Sequence, residues 1–227
     1  HDISVFCRES DGSRPDYVER DDVVDGIPVR RLKYDFGDAA DFSFIHDNPK
    51  IDAAFLRHAR AFRPDVVHVH HVTCLSSGIL DAAKSVARAV VMTLHDYWTA
   101  CPRGQRITPD LERCETLDRT KCAPCLAALW PHFDLTSERL EAADVVMRRR
   151  LNGCDLLIAP SHAHREGMLQ FGLDPERVVV LQHGLPVERY AAARRERRSA
   201  RRVAYIGSVL PTKGVHVLVE AFAKAAP

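Results

Sequence analysis

Short runs of apolar, mostly β-branched residues alternate along the chain with longer amphipathic stretches, and this alternation restricts the fold more than any other feature of the sequence. Strands that alternate with helices are typical of βαβ units, which build a parallel sheet covered by helices on both faces. We therefore expect an α/β fold. The expected strands occupy residues 3–7, 27–32, 66–70, 89–94, 154–159, 178–181 and 203–206.

The helical spacing of apolar residues, together with proline and glycine near the ends, predicts the helices between these strands. Ser137 and Ser161 are the expected N-caps of two helices, and Gly172 is expected to end the second of them. Pro28 indicates an edge strand, because proline cannot donate to a ladder. The expected helices cover residues 49–62, 76–87, 137–151 and 161–171, with another starting near 214, and residues 35–48 are an expected loop.

Composition and charge exclude several classes of protein. The chain is 46% hydrophobic and 28% charged, which is enough to bury a core. Its net charge of +1 gives no overall attraction to nucleic acid, and no apolar run is long enough to span a bilayer. Two basic runs, residues 148–150 and 194–202, are typical of a solvated helix face or a linker, with contact to an anionic membrane surface as the alternative.

Polar residues follow the ends of several expected strands, which is where open parallel sheets bind ligands. Purely structural explanations also exist. A histidine inside a strand is most often packed and hydrogen-bonded, a serine before a helix is most simply its N-cap, and two adjacent histidines without an obvious third ligand are a weak metal site. The residues concerned are His68, His70, His71, His95, Asp96, Ser161, His183, Gly184, Gly207 and Ser208.

Residues 207–214 form a glycine-flanked loop between an expected strand and an expected helix. Backbone N–H groups in such a loop, with Lys213 at the start of the helix, suit a diphosphate. The glycine spacing matches neither a P-loop nor a dinucleotide-binding fingerprint. We therefore expect an anion site that includes Gly207, Ser208, Lys213 and Gly214.

Four of the seven cysteines lie in or beside an insertion at about residues 98–126. Four thiolates in one loop-rich segment, two of them as C-x-x-C, are typical of a structural zinc site, and zinc would supply folding energy to a segment with little core of its own. An iron–sulfur cluster uses the same ligands, and four unrelated cysteines are the remaining interpretation. The cysteines are Cys101, Cys114, Cys122 and Cys125.

Taken together, these motifs resemble those of family-four GT-B glycosyltransferases, especially the bacterial group that acts on cell-surface polysaccharides. Each motif is weak by itself, but their order and spacing are specific and cover nearly the whole chain. The matching stretches are residues 63–71, 93–98, 101–104, 159–161, 183–184, 205–208 and 213–214.

The resemblance implies two Rossmann-like domains facing across a cleft, the first for the acceptor and the second for a nucleotide-sugar. It implies transfer with retention of configuration and without a catalytic metal, in which cationic side chains and helix N-termini stabilise the leaving diphosphate. His95, Asp96 and Lys213 are then the expected catalytic residues. The expected donor-binding residues are Gly207, Ser208, Lys213, Gly214, Ser161, His183 and Gly184.

Three departures from the family pattern bear on activity. Ser208 stands where many relatives carry an arginine, and the family's pair of glutamates seven residues apart does not follow. The chain also opens on an apparent strand in progress, so we expect the family's first strand to be missing. We expect most of the acceptor domain in residues 1–189, a linker in 190–202 and the start of the donor domain in 203–227, and no sugar transfer by this chain alone.

The leading interpretation is therefore a hexosyltransferase that uses a UDP- or GDP-linked sugar and a glycan or lipid-linked acceptor. The expected location is cytoplasmic, with peripheral contact at the inner face of the membrane as an additional expectation. The alternative is a zinc-stabilised, non-catalytic binding module in a glycan-assembly complex. A nicotinamide-dependent oxidoreductase is disfavoured because no G-x-G-x-x-G follows any expected strand.

Overall fold

A computed structural model describes residues 1–191 and 203–225 of the chain. The chain divides into two compact units, one of residues 1–106 with 115–182 and the other of residues 107–114 with those from 183 onward. The strands of the first unit are β1 (Val5–Glu9), β2 (Glu19–Val24), β3 (Ile27–Lys33), β4 (Val66–Val69), β5 (Ala89–Thr93), β6 (Leu156–Ala159) and β7 (Val178–Val180). Its helices are α1 (Ser43–His46), α2 (Pro49–Phe62), α3 (Gly78–Lys84), α4 (Arg119–Ala127), α5 (Ser137–Asn152) and α6 (His162–Gln170).

The centre of the first unit is a four-stranded parallel sheet in the order β4-β5-β6-β7. Its inner strands are short and apolar, as expected for strands buried on both faces. Val90, Met92 and Leu157 are among the fully or almost fully buried side chains of the main core. The structure therefore confirms the expected α/β class, with a Rossmann-like parallel sheet flanked by helices.

A second sheet in the same unit has the order β1-β3-β2, so β3 lies in the middle and the expectation of an edge strand from Pro28 is wrong. Pro28 lies opposite Val23 near the start of β3, a position that proline tolerates. Asp25 and Gly26, which both have positive φ, form the tight turn between β2 and β3. An Asp-Gly pair between two strands is a strong hairpin signal. The strand before this turn, β2, was not predicted because its acidic sequence does not resemble a typical strand.

The helix predictions were accurate where both ends carried a local signal. Helix α2 spans the predicted residues 49–62, and the Asn48 side chain accepts hydrogen bonds from the first backbone N–H groups. Ser161 caps α6 through the backbone N–H of His164, as expected. The cap of α5 is Thr136 rather than Ser137, because the Thr136 hydroxyl accepts from the N–H of Arg139.

The second unit contains helix α7 (Val187–Ala191), a 3-10 turn at Pro211–Lys213 and helix α8 (Val215–Ala225). The expected helix near residue 214 is confirmed. The expected strand at residues 203–206 is wrong, because these residues have no regular structure. Most of the expected linker, residues 192–202, lies outside the described residues.

The basic run at residues 148–150 is largely occupied by ion pairs within the protein. Arg149 and Arg150 both pair with Asp81, and Arg150 also pairs with Asp47. This supports the structural interpretation of the run over membrane contact. Over residues 1–191 and 203–225, none of the helices combines the length and the apolar character that crossing a membrane requires.

Candidate functional site

Four histidines gather where β4 and β5 end. His68 of β4 and His70, which directly follows the strand, stack their rings with centroids 4.2 Å apart. His68 is exposed rather than packed, and its Nε2 makes a 2.9 Å hydrogen bond with the hydroxyl of Thr93 on β5. The expectation of a hydrogen-bonded His68 is therefore confirmed, whereas the expectation of a packed one is wrong.

His70 and His95 are joined by a direct contact between their imidazole rings. The His70 Nδ1 lies 3.2 Å from the His95 Nε2, and both side chains are exposed. A hydrogen bond between two imidazoles requires one ring to donate and the other to accept. The two rings therefore take complementary donor and acceptor roles.

His71 has a tautomer that its neighbours determine. The backbone N–H of Thr73 donates to the His71 Nδ1 at 2.9 Å, so in the neutral ring the proton sits on Nε2. That nitrogen lies 3.3 Å from the Asp96 Oδ1. His71 is thus arranged to donate to the Asp96 carboxylate.

Asp96 is held as an oriented carboxylate. Its Oδ1 also accepts the backbone N–H of Trp98 at 2.8 Å. Partial burial acts to raise the pKa of Asp96, but the hydrogen bonds from His71 and Trp98 outweigh it and keep the pKa below its usual value. The side chain is therefore ionised at neutral pH.

The loop after Asp96 is packed against α6. Tyr97 stacks on His164, with ring centroids 4.5 Å apart, and its hydroxyl donates to the carbonyl of Ala163. A Cβ on Gly167 would come within 2.6 Å of the Tyr97 ring, so glycine permits this close approach. Because Tyr97 is the next residue after Asp96, this packing helps to position the carboxylate.

The predicted anion loop lies in the second unit. Gly207 has a φ of 156°, and a Cβ there would lie 2.9 Å from the Tyr205 hydroxyl. Gly214 has a φ of 68° and directly precedes α8, with Lys213 exposed beside it. A cation and the first N–H groups of α8 therefore lie in one short segment, a combination that suits an anion.

The other predicted donor residues occupy different surroundings. Ser161 belongs to the first unit, where its hydroxyl accepts from the His164 N–H as a helix cap. His183 and Gly184 are exposed residues of the second unit, in an irregular segment before α7. The structure therefore groups Gly207, Ser208, Lys213 and Gly214 in one loop, but it does not test the assigned roles.

The expected zinc site is not supported. Cys122 and Cys125 lie inside α4 rather than in the turn that a C-x-x-C metal knuckle uses. Within the ranges 1–191 and 203–225, no group of three or more histidine, cysteine or acidic side chains is placed to hold a metal ion. Cys101 and Cys114 therefore do not belong to such a metal-binding group, and neither do the histidines at the ends of β4 and β5.

Sequence reasoning missed the pairing of His71 with Asp96 and of His70 with His95. The available signal was that both segments follow adjacent parallel strands, whose carboxyl ends meet at one edge of the sheet. The residues were singled out individually, but their partners depend on the register of β4 against β5, which places His68 opposite Val91.

Residues 1–189 match a family model described as Glycosyltransferase Family 4. No curated protein matches the chain. The family match covers all of the histidine cluster, Asp96 and the loop that packs on α6.

Proposed function

Because the chain belongs to glycosyltransferase family 4, we propose that it serves the transfer of a sugar from a nucleotide-sugar to a glycan or lipid-linked acceptor, with retention of anomeric configuration. The family match carries the proposal. The geometry supports it, since the polar cluster lies at the carboxyl edge of a parallel sheet, where such sheets bind ligands.

On the acceptor side, Asp96 and His95 are the proposed reactive groups. Asp96 is ionised and oriented by two donors, which leaves its Oδ2 suited to accept a hydrogen bond from a sugar hydroxyl. His95 is exposed beside it and is oriented by His70. Groups held in place before the substrate arrives require little reorganisation during the reaction.

On the donor side, the proposed diphosphate site is the loop of residues 207–214. Lys213 supplies positive charge, and Gly207, Ser208 and Gly214 offer backbone groups near the start of α8. Charge that develops on a leaving diphosphate is stabilised by such groups. Ser161, His183 and Gly184 complete the proposed donor set, with UDP or GDP as the nucleotide.

We further propose that the 227-residue chain binds the nucleotide without turning it over. Ser208 stands where the family resemblance implies an arginine, so one cation on the diphosphate is replaced by a neutral hydroxyl. We place the reaction in the cytoplasm. Transferase turnover by the purified 227-residue chain would contradict the proposal that it binds the nucleotide without turning it over.

The donor site is tested by titrating the purified chain with UDP and GDP in a calorimeter. Lys213→Ala is expected to weaken binding about 5- to 30-fold, because a charge-assisted hydrogen bond contributes roughly 1–2 kcal/mol. Lys224→Ala, which removes an exposed lysine within α8 itself, is the matched control and should leave binding unchanged. Equal effects of the two substitutions would exclude the proposed diphosphate site.

The reaction is tested in a protein that contains these residues within two complete domains, supplied with UDP- and GDP-linked sugars and lipid-linked acceptors. We expect His95→Ala to lower kcat by about 100-fold or more, with no change in the thermal unfolding temperature. His132→Ala, at an exposed histidine outside the cluster, is the control. A product with inverted anomeric configuration, observed by NMR, would refute retention.

A further inference from the structure

His164 is a buried titratable residue that the proposed function does not use. It lies in the first turn of α6 and is 6% exposed. Among the residues that the structure describes, neither of its ring nitrogens has a hydrogen-bond partner of regular geometry. A buried polar group without such a partner costs free energy, so its presence in a folded protein calls for an explanation.

Two consecutive residues of the chain, Asp96 and Tyr97, lie beside the His164 ring. The Tyr97 ring is tilted by 34° to it, with centroids 4.5 Å apart. Burial lowers the pKa of His164, whereas the backbone carbonyl and the carboxylate of Asp96 both act to raise it. Because burial dominates, the ring is neutral at neutral pH and has one N–H. The Asp96 carbonyl can accept that N–H.

The carboxylate of Asp96 is held by other groups. Its Oδ1 accepts from the Trp98 N–H at 2.8 Å and lies 3.3 Å from the His71 Nε2. A Cβ on Gly104 would lie 3.3 Å from its Oδ2, so the main chain approaches the carboxylate closely there. The contacts that hold the carboxylate therefore come from loop residues and not from α6.

Tyr97 attaches the loop that carries Asp96 to α6. Its hydroxyl donates to the carbonyl of Ala163 at 3.3 Å, in the same helical turn as His164. The buried guanidinium of Arg106 lies over the Tyr97 ring, 5.4 Å from its centroid, which is an attractive arrangement. His164 is thus located where this loop meets the helix.

We propose that His164 is a positioning residue for Asp96, whose ring holds the peptide between Asp96 and Tyr97 against α6 and so keeps the carboxylate turned toward the acceptor. The proposal rests on the proposed function, in which Asp96 accepts a hydrogen bond from a sugar hydroxyl. Packing on Tyr97 requires a ring of this size, whereas holding the peptide requires the ring N–H. A reactive group needs such support from behind, because a small displacement of it slows the reaction.

Three substitutions separate the packing of the ring from its N–H. His164→Phe keeps an aromatic ring next to Tyr97 but removes both nitrogens. His164→Asn and His164→Gln lose the ring but retain an amide N–H, close to the position of Nδ1 in the first variant and of Nε2 in the second. Met168→Leu, at another buried residue of α6, is the matched control for altered packing.

The readout in the 227-residue chain is amide hydrogen exchange at Trp98, whose N–H donates to the Asp96 carboxylate. His164→Phe is expected to speed this exchange about tenfold or more, because a displaced carboxylate no longer protects the amide. At least one of the two amide variants is expected to restore the protection. Exchange in Ala89–Thr93 of β5 reports the stability of the fold and should be unchanged.

The proposal is overturned if His164→Phe leaves the exchange at Trp98 unchanged, or if neither amide variant restores the protection. It is also overturned if Met168→Leu has the same effect as His164→Phe. An equal increase of exchange in β5 would show that His164 only stabilises the fold, and would overturn the proposal as well.

The second measurement uses a protein that contains these residues within two complete domains. His164→Phe is expected to lower kcat about tenfold without changing KM for the donor. It should lower kcat no further when combined with Asp96→Asn, because it acts through that carboxylate. Equal effects with and without Asp96→Asn would overturn the proposal. If Asp96→Asn alone leaves kcat unchanged, the proposed role of Asp96 in transfer fails, and the exchange at Trp98 decides the positioning role independently.

Discussion

Replacing Arg150 with alanine should destabilise the protein far more than the same change at its neighbour Arg149. Arg150 is only 10% exposed, and its guanidinium binds the Ser77 hydroxyl at 2.7 Å, Asp81 at 2.9 Å and Asp47 at 3.2 Å. These contacts tie α5 to α3 and to the segment that leads into α2. Arg149 is 61% exposed, and among the described residues its ion-pair partner is Asp81.

The magnitudes follow from burial and from the number of partners. Removing one partner of a buried charge network costs about 3–5 kcal/mol. Because Asp47 and Asp81 are each 44% exposed and can regain water, we expect a loss of about 2–3 kcal/mol for Arg150→Ala. For Arg149→Ala we expect about 0.5 kcal/mol or less.

Urea unfolding followed by circular dichroism measures both values, and a constant m-value shows that the same transition is compared. Both substitutions replace arginine by alanine within α5, so the change in helix propensity is nearly the same. Losses that agree within about 0.5 kcal/mol would refute the reasoning, since they would mean that the buried contacts of Arg150 contribute no more than a surface ion pair.

Burial raises the pKa of Asp52 to about 6 in the folded state, whereas the unfolded value is about 3.9. The folded protein therefore binds more protons between these two pKa values, and the stability of the wild-type protein falls as pH rises through this window. In urea titrations, Asp52→Asn should gain up to about 2–3 kcal/mol relative to wild type between pH 4 and pH 7. A difference in stability between variant and wild type that stays constant with pH would contradict this. Gly167→Ala places a Cβ within 2.6 Å of the Tyr97 ring, so thermal unfolding should show a net loss of about 1–2 kcal/mol, and that loss should shrink when Tyr97 is also replaced by leucine. His71→Phe removes a donor to Asp96 and should raise the pKa of Asp96 in an NMR titration, whereas an unchanged pKa would show that the Trp98 N–H alone controls it.

Elements whose signals are local could be predicted from the amino-acid sequence alone. The apolar spacing and the Asn-Pro start of α2 specified both of its ends, and Ser161 specified the start of α6. The β-branched runs at β4 and β5 predicted the parallel sheet, and the polar residues that follow them predicted a polar edge at its carboxyl end. Periodicity and caps act within a few residues, so a single sequence contains them in full.

Other features depended on partners distant in the chain. Strand β2 is charged throughout its first four residues, and it is a strand because Arg30 and Arg31 of β3 and Arg20 of β2 itself pair with its carboxylates. The C-x-x-C pair became part of a helix instead of a metal knuckle. In both cases the local pattern was compatible with more than one structure.

At the polar edge of the sheet, too, the sequence placed the residues and the tertiary structure decided their contacts. The sequence placed His70, His71, His95 and Asp96 at strand ends, but only the register of β4 against β5 decided that His71 contacts Asp96 and that His70 contacts His95. It likewise took the packed structure to show that β1 and β4, which belong to different sheets, line one cavity. Such contacts are decided by register and packing between segments far apart in the chain, and no local pattern records that information.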